Sequence, residues 1–420
     1  NGINLVLYIN VIGSTMNLSN PFRPGAGHMP PYLAGREAEK DEFLKLLSQT
    51  TIMQNLVLTG LRGVGKTVLS ETFKPLAQGA GWLWVGTDLS ETASISEENI
   101  AIRLLTDLSL ITSSIPIGIE TSHSIGFVQE QKTQEFKTLN FEVLVGIYKN
   151  TPGLPTDKLK AALETAWNVM QSSGISKKGI IFAYDEAQNL SDHASKEQYP
   201  LSLLLDTFQS IQRKGIPFML ALTGLPTLFP TLVEARTYAE RMFRVIFLDK
   251  LNEQDVKVAI TKPLEGHPMM LSTESIDIIC RISGGYPYFV QFICREVYDL
   301  FINQYENSKP TRVPQQEIIM KLDTDFFAGR WARATDRQRD LLFVVALLDN
   351  CDTEFSVQEI LEKSKELEDA KPFSASHINQ MLSTLINSGL IYKNRYGKYS
   401  FAVPLLGQFI LRQKSQMGIG

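Results

Sequence analysis

The sequence predicts an α/β protein: a mostly parallel sheet with helices on both faces, followed by a helical unit and a last unit of three helices and a hairpin. Three observations carry this prediction. Short apolar runs bounded by glycine alternate with helical patterns between residues 55 and 248, the rhythm of parallel strands joined by crossovers. A glycine-rich loop ending in lysine and threonine follows the first of those runs. Beyond Leu248 the apolar residues recur every three or four positions, so the period changes from strand to helix.

Taken in order, Pro21, Pro24, Gly25, Gly27, Pro30 and Pro31 mark an extended leading segment, because both residue types disfavour a helix interior. A helix is expected over 36–48, with Phe43, Leu46 and Leu47 on one face. Asn55-Leu56-Val57-Leu58-Thr59, closed by Gly60, reads as a buried strand. Further strands are expected at 81–86, 179–184, 217–222 and 243–248, with helices at 156–173 and 200–214. Residues 111–155 break the rhythm. They are rich in Ser, Thr, Ile and Gly, lean towards β structure at 124–129 and 140–148, and read as a hairpin inserted into the α/β core.

Helices are then expected at 252–264, 272–283 and 288–303. The final unit should hold helices at 335–348, 356–367 and 374–388, then a strand, a turn at Gly397 and a strand over 389–401. Three helices and a hairpin are the outline of a winged helix. The expected organisation is an N-terminal extension (1–30), an α/β core (31–250, insertion 111–155), a helical lid (251–330) and a winged-helix domain (331–420).

A chain of 420 residues suits two or three domains at about 150 residues each. Its 44% hydrophobic and 20% charged residues place it outside the disordered range. A net charge of −4 argues against coating nucleic acid through bulk charge, so any such contact must use a local patch. Cys280, Cys294 and Cys351 form no CxxC spacing and the histidines are scattered, which gives no metal signature and no disulfide framework. A reducing cytoplasm fits that cysteine usage. No apolar run reaches the ~18 residues that would cross a membrane. The stretch Leu5-Val6-Leu7-Tyr8-Ile9 lacks the basic flank of a signal peptide, and translation is expected to start at Met16.

Gly60-Leu61-Arg62-Gly63-Val64-Gly65-Lys66-Thr67 matches GxxxxGK[ST] in full and sits between a strand and a helical run that continues through Val68. Glycines let backbone N–H groups turn inward around phosphate oxygens, and a helix N-terminus adds favourable partial charge. Lys66 is expected at the β- and γ-phosphates, and the Thr67 hydroxyl at Mg²⁺. ATP with Mg²⁺ is the ligand this predicts. The strand Gly179-Ile180-Ile181-Phe182-Ala183-Tyr184 then delivers Asp185-Glu186 at its C-terminal end. Asp185 is expected to orient the metal, and Glu186 to polarise the attacking water. The next strand ends at Thr223, which either senses the γ-phosphate or positions water; an ordinary strand-to-loop threonine explains it nearly as well.

These features together resemble the AAA+ and STAND branch of P-loop ATPases, particularly the prokaryotic relatives of the origin-recognition ATPases. Tyr32-Leu33-Ala34-Gly35-Arg36-Glu37 is similar to the box that lies beside the adenine in that group, which implies a nucleotide contact for Arg36. Glu240-Arg241-Met242-Phe243-Arg244 stands where such proteins often carry an arginine finger, implying that role for Arg241. The lid segment Ser283-Gly284-Gly285-Tyr286-Pro287-Tyr288 has no arginine where AAA+ lids usually present one, and looks more like the GxP element of STAND proteins. That likeness implies a contact between Pro287 and the base, whereas a helix stop with a proline-started helix explains the same residues. The missing arginine implies slow hydrolysis, suited to a switch.

In the last unit, the helix Ser374-Ala375-Ser376-His377-Ile378-Asn379-Gln380 lacks Lys and Arg, while Lys393, Arg395 and Lys398 could form a modest phosphate-contacting wing. A protein-binding role for the same unit is equally consistent. The expected function is Mg²⁺-dependent ATP binding with slow hydrolysis, acting as a conformational switch on a protein partner or a DNA-linked process. By family analogy that includes mobile-element control or antiviral defence. The alternatives are a DNA loader that oligomerises on duplex, or an adaptor that binds nucleotide and barely hydrolyses it.

Overall fold

A computed structural model describes residues 19–25, 27–123, 132–267, 270–306, 313–367, 372–395 and 397–416. The chain divides into two compact units, one formed by Glu37–Thr59 with Leu69–Phe247 and the other by the residues up to Arg36, Gly60–Val68 and the chain from Leu248 onward.

The first unit is built on a five-stranded sheet. In chain order its elements are α1 (Glu37–Leu47), β1 (Asn55–Gly60), α2 (Lys66–Gly79), β2 (Trp82–Val85) and α3 (Glu97–Thr112). A hairpin of β3 (Pro116–His123) and β4 (Lys132–Thr138) follows, then α4 (Phe141–Asn150), α5 (Pro155–Ser172), β5 (Gly179–Tyr184), α6 (Pro200–Arg213) and β6 (Phe218–Gly224). The unit closes with α7 (Leu228–Ala235), α8 (Ala239–Met242) and β7 (Phe243–Leu248). The strand order is β2-β5-β6-β1-β7, and the pairs β2–β5, β5–β6 and β1–β6 are parallel.

Strand side chains alternate between two covers. Val57, Ile180, Phe182, Phe218 and Leu220 join α3, α5 and α6 in one apolar cluster. On the other face Phe43 of α1 stacks on Phe73 of α2 at 4.2 Å, with Trp84 edge-on to Phe43 at 6.2 Å. Both faces are therefore dry, which explains the unbroken apolar runs of β1, β5 and β6.

Residues 140–148, read from sequence as β-leaning, are instead helical. Asn140 caps α4 by accepting from the Val143 N–H, and Leu144 and Tyr148, four apart, are its buried residues. Packing against α3 and α5 outweighs the β preference of Val143 and Val145. The expected hairpin is present as the antiparallel pair β3–β4; the β-leaning piece at 124–129 lies outside the described residues.

The second unit contains α9 (Glu253–Thr261), α10 (Thr273–Ser283), α11 (Pro287–Glu306), α12 (Gln315–Leu322), a π-turn over Asp323–Ala328 and a short α13 (Gly329–Trp331). These are followed by α14 (Asp336–Ala346), α15 (Val357–Glu366), α16 (Ala375–Asn387), the antiparallel pair β8 (Ile391–Arg395) and β9 (Lys398–Phe401), and α17 (Leu406–Gln416). The leading segment runs along α11: Phe22 is buried in the unit's apolar cluster, and the Asn20 amide donates to the Arg295 carbonyl (2.9 Å) and to Asp299 (2.7 Å). Phe355 extends the hairpin by exchanging two backbone hydrogen bonds of 2.8 Å with Tyr399. Asp323, at the start of the π-turn, is buried and holds Arg412 of α17 through a guanidinium–carboxylate pair.

Candidate functional site

The glycine-rich loop belongs to the second unit, and its shape is set by backbone conformation. Gly63 and Gly65 have φ of +81° and +90°, in the region where a side chain is strained. A Cβ on Gly65 would meet nothing within 4 Å, so the loop needs glycine there for its backbone angle and not for room. Lys66 opens α2, and its ammonium donates to the carbonyls of Gly60 (3.0 Å) and Leu61 (2.9 Å). Arg36, only 5% exposed, donates to the carbonyl of Val64 (3.0 Å) and to that of Asp249 (2.8 Å). It therefore fixes the loop's backbone to the residue that follows β7.

The turn before α11 meets the same loop. Gly284 and Gly285 take φ of +58° and +82°. A Cβ on Gly285 would stand 2.6 Å from the Leu251 carbonyl oxygen, and the Leu251 N–H donates to the Gly285 carbonyl at 2.8 Å. Pro287 is the first residue of α11, and the Tyr288 N–H beside it donates to the Gly63 carbonyl at 3.1 Å. Burial lifts the Tyr286 hydroxyl to about 12, so that residue is a neutral packing group.

The acidic residues lie in the first unit, at the carboxyl edge of its sheet. Register pairs Leu58 with Thr223, Thr59 with Gly224 and Tyr184 with Leu222, so β1, β6 and β5 end side by side with β6 in the middle. Crevices outside the carboxyl ends of such strands are where ligands bind in open α/β sheets. Thr223 is 3% exposed, and the buried Thr59 Oγ1 makes no hydrogen bond among the described residues. The end of β5 is fixed by Tyr184, whose hydroxyl donates to the buried Asp107 at 2.9 Å, while Arg103 pairs with the same carboxylate. Burial and the Asp107 charge together push the Tyr184 hydroxyl far above its ordinary range. Asp185 is held through its backbone, donating to the Thr87 carbonyl (3.3 Å) and accepting from the Leu89 N–H (2.9 Å). Gly86 makes this approach possible, since a Cβ there would fall 1.8 Å from the Ala183 carbonyl oxygen.

Glu186 adopts a left-handed backbone (φ 51°), and its N–H donates to an Asp185 carboxylate oxygen at 2.7 Å. Its own carboxylate accepts from the Gln188 amide, whose oxygen accepts from the Leu225 N–H at 3.0 Å. Gly224 leaves the space, because a Cβ there would be 2.6 Å from that oxygen. Gln188 thus ties the acid to the tip of β6. The sequence gives no sign of this, because nothing distinguishes one polar residue after an acidic pair from another.

Arg241 is exposed on α8 and makes no ion pair among the described residues, whereas Arg244 pairs with Glu42 at 2.6 Å and Arg236 with Asp206 at 2.7 Å. In the hairpin Lys393 is exposed, and Lys398 donates to Glu359 at 3.2 Å. The Arg395 side chain lies outside the described residues. With Ser356 and Asn350 also donating to it, Glu359 titrates at about 2.

A family model described as Domain of unknown function (DUF8462) matches residues 324–410. No curated protein matches the chain in sequence. Among solved structures, the Walker-type ATPase of Pyrococcus abyssi is similar at 15% identity over 90% of this chain and 96% of that one, with a TM-score of 0.55. The ORC2 protein of Aeropyrum pernix in its ADP form is similar at 12% identity, over 93% and 97% of the two chains, with a TM-score of 0.53. Its ADPNP–ADP complexes give 12% identity, 94% and 98% coverage and a TM-score of 0.50. The chain therefore shares the α/β P-loop NTPase fold of these structures. Among the described residues no helix is long and apolar enough to cross a membrane.

Proposed function

We propose that the chain binds ATP with Mg²⁺ and hydrolyses it slowly, using the nucleotide state to set the arrangement of its C-terminal helices and hairpin. The observation that carries this reading is the loop itself: two left-handed glycines, a lysine at the first helical residue and a hydroxyl next to it, in a chain with a P-loop ATPase fold. The residues present fit a magnesium-bound triphosphate. Gly65 leaves open space where any side chain would project, and Lys66 already uses its ammonium on backbone oxygens, which phosphate oxygens replace with stronger, charge-assisted acceptors. Thr67 of the loop would hold the metal, which when bound neutralises phosphate charge. Arg36 keeps the loop backbone in shape; in the other unit Glu186 is the candidate base for the attacking water, with Thr223 at the neighbouring strand tip as the residue that would orient it. Pro287 packs near the base, and Arg241, exposed and with no ion pair among the described residues, reaches a neighbouring subunit's nucleotide.

Residues 331–420 act in this reading as a winged helix that meets a protein partner. Lys398 is engaged by Glu359, which leaves the hairpin a weak basic patch and favours protein over duplex DNA. The direct test is phosphate release from Mg-ATP. Glu186→Gln should lower turnover at least about 100-fold while nucleotide binding persists. Undiminished turnover in that variant would remove Glu186 from the chemistry.

A further inference from the structure

Leu405 holds a backbone conformation that leucine avoids. Its φ is +60°, and the other non-glycine residues with positive φ among the described residues, Glu186 and Glu197, are polar. The Leu406 N–H donates to the Val403 carbonyl at 3.4 Å, which closes a turn with Pro404 second and Leu405 third. A type II turn has that order and calls for glycine or asparagine at its third place, because a larger side chain is strained there. Leu405 is nonetheless buried, and its carbonyl accepts the Phe409 N–H (3.1 Å) as α17 begins.

What holds the strain is the seat of the side chain. Gly284, in the turn between α10 and α11, also has a left-handed backbone (φ +58°), and a Cβ on it would stand 2.8 Å from Leu405 Cδ2. The leucine therefore enters a socket that exists only because residue 284 is glycine. The same turn touches the glycine-rich loop, since the Tyr288 N–H donates to the Gly63 carbonyl at 3.1 Å. A second contact runs beside it. Gly389, just past α16, lies against the Arg62 guanidinium of the loop, where a Cβ would come within 3.4 Å. All these residues belong to one compact unit. The joint is not filled: a cavity of about 140 Å³ is lined by Ile282 of α10, Ile319 and Leu322 of α12, and Leu405. Interiors are normally packed without such gaps, so the leucine has room to leave its seat.

We propose that Leu405 is a strained peg that latches the start of α17 to the turn at Gly284, so that a change in residues 60–67 on nucleotide binding seats or releases the C-terminal helix. This rests on the nucleotide reading above and adds the device by which the state of the loop reaches α17. Strain of this kind persists only while the surroundings over-determine it. Seated, Leu405 is buried and strained; released, it is exposed and its turn relaxes. Two states separated by one apolar contact and one backbone strain can be biased by a small change at the loop.

The test is hydrogen–deuterium exchange of α17 in the full chain, alone, with Mg-ADP and with Mg-ATP, and calorimetry confirms nucleotide binding in each protein. Leu405→Gly removes the peg while easing the turn, Leu405→Met keeps an apolar peg, and Gly284→Ala fills the socket from the other side. In wild type, exchange of the α17 amides should differ at least about tenfold between Mg-ADP and Mg-ATP. That difference should fall below about twofold in Leu405→Gly and in Gly284→Ala, and persist in Leu405→Met. Faster exchange in Leu405→Gly with the ADP-to-ATP difference intact would make the leucine a packing residue and overturn the latch. Equal exchange in all three states of a wild type that binds both nucleotides would overturn the latch alone. If wild type binds neither nucleotide, the reading of the loop fails and the latch falls with it.

Discussion

Asn55 offers the sharpest test of how the sheet edge is built. It is fully buried at the start of β1, and its oxygen accepts from the Leu220 N–H and from the Gln212 amide, both at 2.8 Å. Its amide donates to the Met242 carbonyl at 3.2 Å, so one side chain joins the strand that precedes the glycine-rich loop to β6 and to the residue before β7. Asn55→Leu keeps the size and removes every one of these bonds. The Gln212 amide nitrogen retains a partner in the Phe218 carbonyl at 2.7 Å, but the Gln212 oxygen, which accepts from the Asn55 amide at 3.3 Å, the Leu220 N–H and the Met242 carbonyl each lose one. Three buried groups at about 1–3 kcal/mol each, offset by about 1 kcal/mol from the buried leucine, give a net loss of about 5 kcal/mol. That is a large part of the roughly 5–15 kcal/mol of a folded domain. Urea unfolding followed by tryptophan fluorescence measures it, since Trp82, Trp84 and Trp167 all belong to this unit. A change below about 1 kcal/mol at constant m-value would refute the idea that this amide network fixes the register of β1 against β6.

Further outcomes follow from other contacts. Gln188→Leu should lower kcat for ATP several-fold and leave KM unchanged, because it frees the Glu186 carboxylate from the tip of β6 without touching a phosphate contact; an equal rise in KM would contradict this. Gly86→Ala should destabilise the first unit by more than about 3 kcal/mol, since the new methyl group overlaps the Ala183 carbonyl, and a thermal melt within a degree of wild type would exclude that overlap. Glu359 titrates at about 2 against an ordinary 4.5, so it contributes stability that is present above pH 4.5 and lost as pH falls towards 2. Glu359→Gln should flatten the acid limb of the stability curve over that window, as read by urea midpoints at successive pH values. Arg241→Ala should shift stability by less than about 0.5 kcal/mol because its side chain is exposed and makes no ion pair among the described residues, while lowering turnover only where subunits associate; a loss independent of protein concentration would exclude a role across an interface.

The strands and the loop are legible in local sequence pattern. β1, β5 and β6 are apolar on both faces, and Gly60 to Thr67 places its chemistry in eight consecutive residues. Residues whose role depends on partners far along the chain were hidden. Gln188 matters because β6 brings Leu225 to it, and Gly86 because β5 runs alongside. Helix α3 escaped notice for another reason. Its buried set includes Asp107, Ser109 and Thr112 beside the leucines, which blurs the apolar stripe that marks an amphipathic helix. At α4 the sequence misled outright, because valines chosen for packing look like strand residues until Asn140 is seen capping the helix.

The central claim is that residues 60–67 hold a triphosphate through Lys66. Isothermal titration of Mg-ATP into wild type and into Lys66→Ala tests it most directly. One saturable site in the wild-type chain, weakened at least about 100-fold in the variant, is the predicted outcome. Equal affinity in the two proteins, or no binding by wild type, would contradict it.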